Sequence, residues 1–282
     1  MNVLLTGASG FVGRHITDIL TKAGHTVTPV SRSHGIDFCS MLEPGDWIPH
    51  LHTIDAVINC VGIIGETRTQ RFETVHTKTP TALFKACKLA GIKRVIQISS
   101  LGTDEKAFSN YHRSKLAADN LLRSLDLDWI ILRPALIYGA GGSSTEVLMR
   151  LAKLPLIPIV GDGKYLLQPI HVSDVAAIVL NALTVTRTQR TFDVAGSESI
   201  SYVGWLETLR QAQGLGPARM IHIPFPFALA ALRLGQHINP LLHPDNLRML
   251  RASYLGDVSQ TVEILQRQPK RIETSLLFKD VL

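Results

Sequence analysis

Four short runs, "NVLLT" at 2–6, "AVINCV" at 56–61, "RVIQIS" at 94–99 and "DWIILR" at 128–133, are apolar on both faces. That pattern suits strands of a parallel sheet covered on both sides. Amphipathic stretches of helical period lie between them at roughly 11–23, 77–90 and 110–125, and Gly24 and Gly91 stand where the first two should stop. "HTVTPVSR" takes the place of a second strand, although Pro29 removes a ladder donor from it. Strand and helix in repeated alternation predict an α/β fold, a Rossmann-like doubly wound parallel sheet.

Past about residue 145 the alternation loosens. "SDVAAIVLNAL" and "SYVGWLETLRQAQG" read as helices, the second closed by Gly214, and "RTFDVAG" reads as a short strand. "VGDGK" at 160–164 reads as a turn, and 217–282 as short helices separated by prolines. The expected organisation is one domain over 1–145 and a smaller, mostly helical substrate or lid region over 146–282. No Gly/Ser linker divides them, so the second should pack directly on the first.

A chain of 282 residues with 45% hydrophobic content can bury a substantial core. The longest apolar stretch, "IPFPFALAALRL", contains Arg233 and two prolines and falls short of the roughly 20 apolar residues of a membrane span. It reads as a short buried or partner-contacting helix, so peripheral contact is compatible with a chain that is not transmembrane. The start "MNVLLTGASG" enters an apolar run at once, and no secretory signal is expected. Cys39, Cys60 and Cys87 are widely spaced and odd in number, which predicts neither a disulfide framework nor a zinc site and fits a reducing cytoplasm. The eleven His form no His-Glu-x-x-His pattern, so no metal is expected. The net charge of +6 comes from scattered basic residues without interleaved aromatics. That argues against nucleic acid and suits a small anionic ligand.

"LLTGASGFVGRHI" supplies a candidate for that anion's site. Gly7, Gly10 and Gly13 fall between the first strand and first helix, where glycines let backbone N–H groups approach a pyrophosphate at the positive helix end. After the second strand comes "SRSH" at 31–34, with no carboxylate to hold a ribose diol and with Arg32 matched to a 2′-phosphate. NADP(H) is therefore favoured over NAD(H).

"TGASGFVG" followed by "YHRSK" resembles the short-chain dehydrogenase/reductase superfamily, in its extended and atypical epimerase-like branches. "VINCVG", "VIQISSLG", "ILRPALIYG", "LQPIHVSDVA" and "FDVAGSESISY" follow in the same order, so the resemblance covers about residues 1–210. The chain is also similar to bacterial relatives of the nucleotide-binding accessory subunit of respiratory complex I. The resemblance implies that Gly7, Ser9, Gly10, Phe11, Val12 and Gly13 cradle the pyrophosphate and that Arg32 meets the 2′-phosphate. It places Asp37 and Phe38 by the adenine, and Cys60, Val61 and Gly62 along the ribose at the end of the pattern's fourth strand. Ile98 joins the cofactor contacts, Pro134 and Ile137 bracket the nicotinamide, and Ser100, Tyr111 and Lys115 fall on the catalytic triad.

The triad is chemically coherent. Residues four apart on a helix share a face, so Tyr111 and Lys115 can reach one cleft. A free phenol titrates near 10, and a nearby ammonium favours the phenolate; a shift of about 3 units corresponds to roughly 4 kcal/mol. Ser100, at the end of a strand, can steady charge on a substrate oxygen. Two departures stand out: only eleven residues separate Ser100 from Tyr111, and His76 occupies the place of the family's usual Asn. Among other residues, Asp174 should cap or brace the helix it begins, Arg133 should anchor the sheet edge, and Trp205, Phe225 and Phe227 should fill the core or a lid.

Two functions follow. The first is an NADP(H)-dependent reductase or epimerase-like enzyme on a carbonyl or hydroxyl substrate, monomeric or homodimeric. The second is a non-catalytic NADP(H)-binding accessory or assembly protein of a membrane-associated complex, with the apolar 223–238 segment serving a partner.

Overall fold

The structure, a computed structural model, describes residues 1–235 and 242–277. The first half runs β1 (Asn2–Thr6), α1 (Phe11–Lys22), β2 (Thr26–Val30), a short α2 (Pro44–Trp47) and β3 (Ala56–Asn59). It continues through a π-helical turn (Glu73–Lys78), α3 (Thr79–Leu89), β4 (Arg94–Ile98), α4 (Asn110–Ser124) and β5 (Asp128–Pro134). The strands are parallel and built as the apolar runs predict. Within each, successive residues feed opposite cores: Val3 and Leu5 join one side and Leu4 the other, and Ile130 and Leu132 face away from Trp129 and Ile131. Gly24 and Gly91 take φ +81° and +76° at the ends of α1 and α3, as C-terminal stops require.

Pro29 causes no conflict because β2 is the edge strand beyond β1, where a missing N–H costs no ladder bond. Cys60–Gly62 follow the third strand of this chain rather than a fourth. The stretch 31–55 holds only α2 and single 3₁₀ turns, so the sheet ends at β2.

The second half continues with β6 (Ile137–Tyr138), α5 (Ser143–Ala152), β7 (Leu156–Val160), β8 (Leu166–Leu167), β9 (Ile170–His171), α6 (Val172–Ala182) and β10 (Arg190–Val194). Then come β11 (Ile200–Ser201), α7 (Tyr202–Ala212), β12 (Arg219–Ile223), α8 (Phe225–Gly235), α9 (Pro244–Ala252) and α10 (Val258–Leu265). Interleaving is its main feature. β10 pairs with β5 as the sixth strand of the main sheet, giving the order β10-β5-β4-β3-β1-β2. α6 and α10 add Val175, Ile178, Val179, Ile264 and Leu265 to the core under α1. A third core gathers Tyr138, Ile157, Ile159, Trp205, Leu206 and Leu209 between α5, α7 and β7. Asp174 is fully buried and braces the chain rather than capping α6, whose cap is His171. Its carboxylate accepts from Arg267 at 2.5 Å and from the Lys270 amide at 2.7 Å. No helix among the described residues is long and apolar enough to cross a membrane.

Candidate functional site

The residues singled out in the sequence collect at the carboxyl ends of β1, β2, β3, β4 and β5 and on the face of α4 beside them. The sheet order reverses between β1 and β3, and open sheets of this kind take ligands in the crevice at such a point.

Gly7 and Cys60 flank that crevice. Gly7 has φ +71°, and a Cβ on it would come within 3.0 Å of the Cys60 carbonyl oxygen. A Cβ on Gly13 would approach the Gly7 carbonyl oxygen to 2.1 Å, so the turn packs on α1 only because both residues are glycine. Gly10 caps α1 without any side-chain hydrogen bond, leaving the first-turn amides open to an anion. Ser9 and Gly10 are exposed, and Val12 leans on the first core. Phe11 packs its ring edge-on to His15 at 5.6 Å and against Gly142. A diphosphate fits this cradle.

Arg32 opens a single 3₁₀ turn at the end of β2 and is exposed; behind it the Ser31 hydroxyl meets His34 Nδ1 at 2.7 Å. Asp37 is exposed and caps the next turn by accepting from the Cys39 amide. The Phe38 ring is buried against Trp47 at 5.7 Å, so this residue's side chain belongs to the core. Ile98 and Pro134 are buried at the ends of β4 and β5, and Ile137 pairs with Ile170 just beyond.

Around α4 the geometry is tight. Ser109 caps the helix through the His112 amide. Tyr111 is half-buried, and Lys115, one turn on, is buried with its Nζ donating to the Ile98 carbonyl at 3.1 Å and lying 5.8 Å from the Tyr111 ring centroid. Gly62 faces this pair, because a Cβ on it would meet Lys115 Nζ at 3.4 Å. Beside Lys115, burial pushes the Cys60 thiol up to about 12, which keeps it protonated. Ser100 lies in the loop after β4, and among the described residues its hydroxyl reaches only its neighbour Leu101's carbonyl, at 3.5 Å. His112 lies beside the Leu101 backbone and packs edge-on to Tyr111 in the first turn of α4.

His76 sits in the π-helical turn and is buried. Its Nε2 accepts from the Ile63 amide at 3.0 Å, so Nδ1 carries the proton and donates to Ser114 Oγ, which in turn donates to the Tyr111 carbonyl. Burial first, and the charge of Lys115 second, hold its pKa well below 6.5. The imidazole is thus a neutral bridge with both nitrogens engaged, not a titrating group.

Sequence reasoning passed over a buried polar chain behind these residues. Thr6 Oγ1 donates to Asn59, Asn59 to Gln97, and both Gln97 and Ser99 to the Asp119 carboxylate, the Ser99 bond at 2.6 Å. Three of its members directly precede a residue singled out in the sequence: Thr6 before Gly7, Asn59 before Cys60, Ser99 before Ser100. Asp119 lies one turn beyond Lys115 on the same face of α4. The legible signal was polar residues interrupting apolar strands. Tyr254 was also missed. It comes from far along the chain, touches His112 edge-on at 5.1 Å and covers Gly102.

The profile of the NAD dependent epimerase/dehydratase family matches residues 3–195. A ceramide reductase from Caulobacter vibrioides is 31% identical over 244 residues, covering 81% of this chain and 75% of that protein. The mitochondrial NADH dehydrogenase [ubiquinone] 1 alpha subcomplex subunit 9 of Mus musculus is 30% identical over 193 residues, 62% of this chain. The match spans only about half, 51%, of the mouse subunit. The UDP-glucose 4-epimerase of Thermotoga maritima shares the fold with a TM-score of 0.74 at 17% identity, covering 98% of this chain and 96% of that one. With a glycine cradle at the switch point of its sheet and a family profile spanning most of its length, the chain belongs to the NAD-dependent epimerase/dehydratase family.

Proposed function

We propose that this protein is an NADP(H)-dependent oxidoreductase of the cytoplasm that interconverts a carbonyl and a hydroxyl group. The observation that carries the reading is the placement of Tyr111 and the buried, carbonyl-anchored Lys115 on one face of α4, with the Lys115 ammonium beside Gly62. When bound, the nicotinamide supplies or accepts the hydride. Gly7, Ser9, Gly10, Phe11, Val12 and Gly13 hold the diphosphate, Arg32 the 2′-phosphate, Asp37 and the Phe38 backbone the adenine end, and Cys60, Val61 and Gly62 the ribose. Ile98, Pro134 and Ile137 border the nicotinamide. Ser100 donates a hydrogen bond to the substrate oxygen, Tyr111 hands that oxygen its proton, and the Lys115 ammonium stabilises the phenolate left behind. The relative named as a ceramide reductase favours the reductase direction.

The test is Tyr111→Phe. NADPH affinity should stay within about twofold while carbonyl reduction falls by at least about 100-fold, the scale of losing a positioned general acid. Retained turnover sinks the reading. Arg32→Ala should weaken NADPH about tenfold or more and leave NADH unchanged, since only the 2′-phosphate is lost to it.

A second reading, an NADP(H)-binding accessory protein of a membrane-associated respiratory complex, is favoured by two facts. One is the similarity to the mitochondrial subunit. The other is α8, where Phe227 is 71% and Leu234 80% exposed. In cells lacking the protein, this reading has Tyr111→Phe restoring the lost respiratory activity in full, whereas the enzyme reading has it restoring none.

A further inference from the structure

Tyr254 reaches the site from the segment between α9 and α10. Ser253 accepts from the Leu166 amide at 2.9 Å, and the Gly256 amide donates to Gln168 at 2.8 Å, so the segment is fixed at two points beside Tyr254. The ring lies over Gly102, two residues past Ser100: a Cβ there would come within 2.7 Å of it. Tyr111 and Tyr254 both meet the His112 ring edge-on, each at 5.1 Å. The Tyr254 hydroxyl makes no hydrogen bond to any described residue and is half-buried. Its ring is therefore an aromatic wall beside the Ser100–Tyr111 edge, contributed by the second half of the chain.

An acid stands beside that wall. The charge that faces both Tyr254 and His112 from the loop side is Asp104, an acid. Lys115 faces His112 from behind and is anchored to the Ile98 carbonyl. His76 and His112 are both held neutral, the latter by burial, at about 4. Arg267 and Arg190 are paired with acids, and Arg210 with backbone carbonyls. A nucleotide sugar would need cations at its diphosphate. Two exposed apolar residues belong to the same segment and its support: Leu255, next in sequence, and Leu166, whose amide bonds Ser253.

We infer that Tyr254 is a specificity-determining contact for an uncharged carbonyl substrate with an apolar body, in place of a nucleotide sugar. The inference rests on the oxidoreductase reading of the same site.

Calorimetric titration of the full chain, saturated with NADPH, tests it with 2-decanone, 2-butanone and UDP-glucose. 2-Decanone should bind at least about tenfold tighter than either of the others, since each buried methylene adds to affinity. Tyr254→Ala should lose about tenfold for 2-decanone with NADPH affinity and circular dichroism unchanged, and Tyr254→Phe should keep both. Equal affinity in wild type and Tyr254→Ala overturns the proposal. So does tighter binding of UDP-glucose. Tyr254-dependent binding of 2-decanone without NADPH-coupled turnover sinks the oxidoreductase reading and leaves the Tyr254 contact standing.

Discussion

His112 and His76 flank Tyr111 and are buried: His112 Nδ1 meets the Ser109 hydroxyl, and the two ring nitrogens of His76 engage Ile63 and Ser114. Burial lowers the pKa of both, to about 4 for His112. A base with a depressed folded pKa makes stability fall as pH drops, because below about 6.5 the unfolded chain binds a proton that the native chain refuses. Between about 6.5 and about 4, His112 should therefore contribute a slope of about 1.4 kcal/mol per pH unit. His112→Gln, which keeps an amide for the Ser109 and Leu101 contacts, should flatten urea-derived stability against pH by about one proton in that window; an unchanged slope refutes the assignment. At this scale the sequence was partly legible. The glycines and the Tyr111–Lys115 pair stand out because their spacing is local. The neutral state of His76 was not legible, since it depends on Ile63 and Ser114, which no pattern links to it. Asp119 and Asn59 were hidden for the same reason: their partners lie on other strands.

Among elements, the strands of the main sheet and α1, α3 and α4 follow the apolar pattern to within a residue or two, because a parallel strand covered on both faces must be apolar throughout. The π-helical turn at Glu73–Lys78 left no such trace, yet it aims His76 into the site. π-turns of this kind are frequent at functional sites. The brace from α6 to the tail was half legible. A helix-opening acid was read at Asp174, but its partners Arg267 and Lys270 lie more than ninety residues away. Asp174→Ala removes the acceptor for both, and Arg267 then returns its charge to water because it is largely exposed. The expected loss is therefore about 1–3 kcal/mol, the worth of hydrogen bonds to a buried charge rather than of a stranded ion. Limited proteolysis should cut the variant after Arg267, Lys270 or Arg271 well before it cuts the wild type. Identical digestion patterns would show that the tail is held by other contacts.

For the whole molecule, sequence order suggests a division near residue 145, but the sheet does not stop there. β10 lies on the outer edge of β5, and α6 and α10 share with α1 the covering of one face of the sheet. From beyond residue 146, nine large apolar side chains join that core: Ile170, Val175, Ile178, Val179, Leu183, Phe192, Val194, Ile264 and Leu265. Burying each is worth about 1.5–3 kcal/mol gross, so together they contribute on the order of 10 kcal/mol or more. A domain's entire net stability is about 5–15 kcal/mol. Without them, Ile96, Ile98, Ile130 and Leu132 on β4 and β5 would face water on one side. The dinucleotide cradle is therefore encoded within residues 1–145 but held by the whole chain. A fragment of residues 1–145 should bind the dye ANS, melt without a cooperative transition and show no heat with NADPH, whereas the full chain should melt in one transition that NADPH moves upward. A fragment that melts cooperatively and binds NADPH as tightly as the full chain would mean that β10 and α6 only decorate a sheet able to stand alone, and that the dependence of the cradle on the second half is wrong.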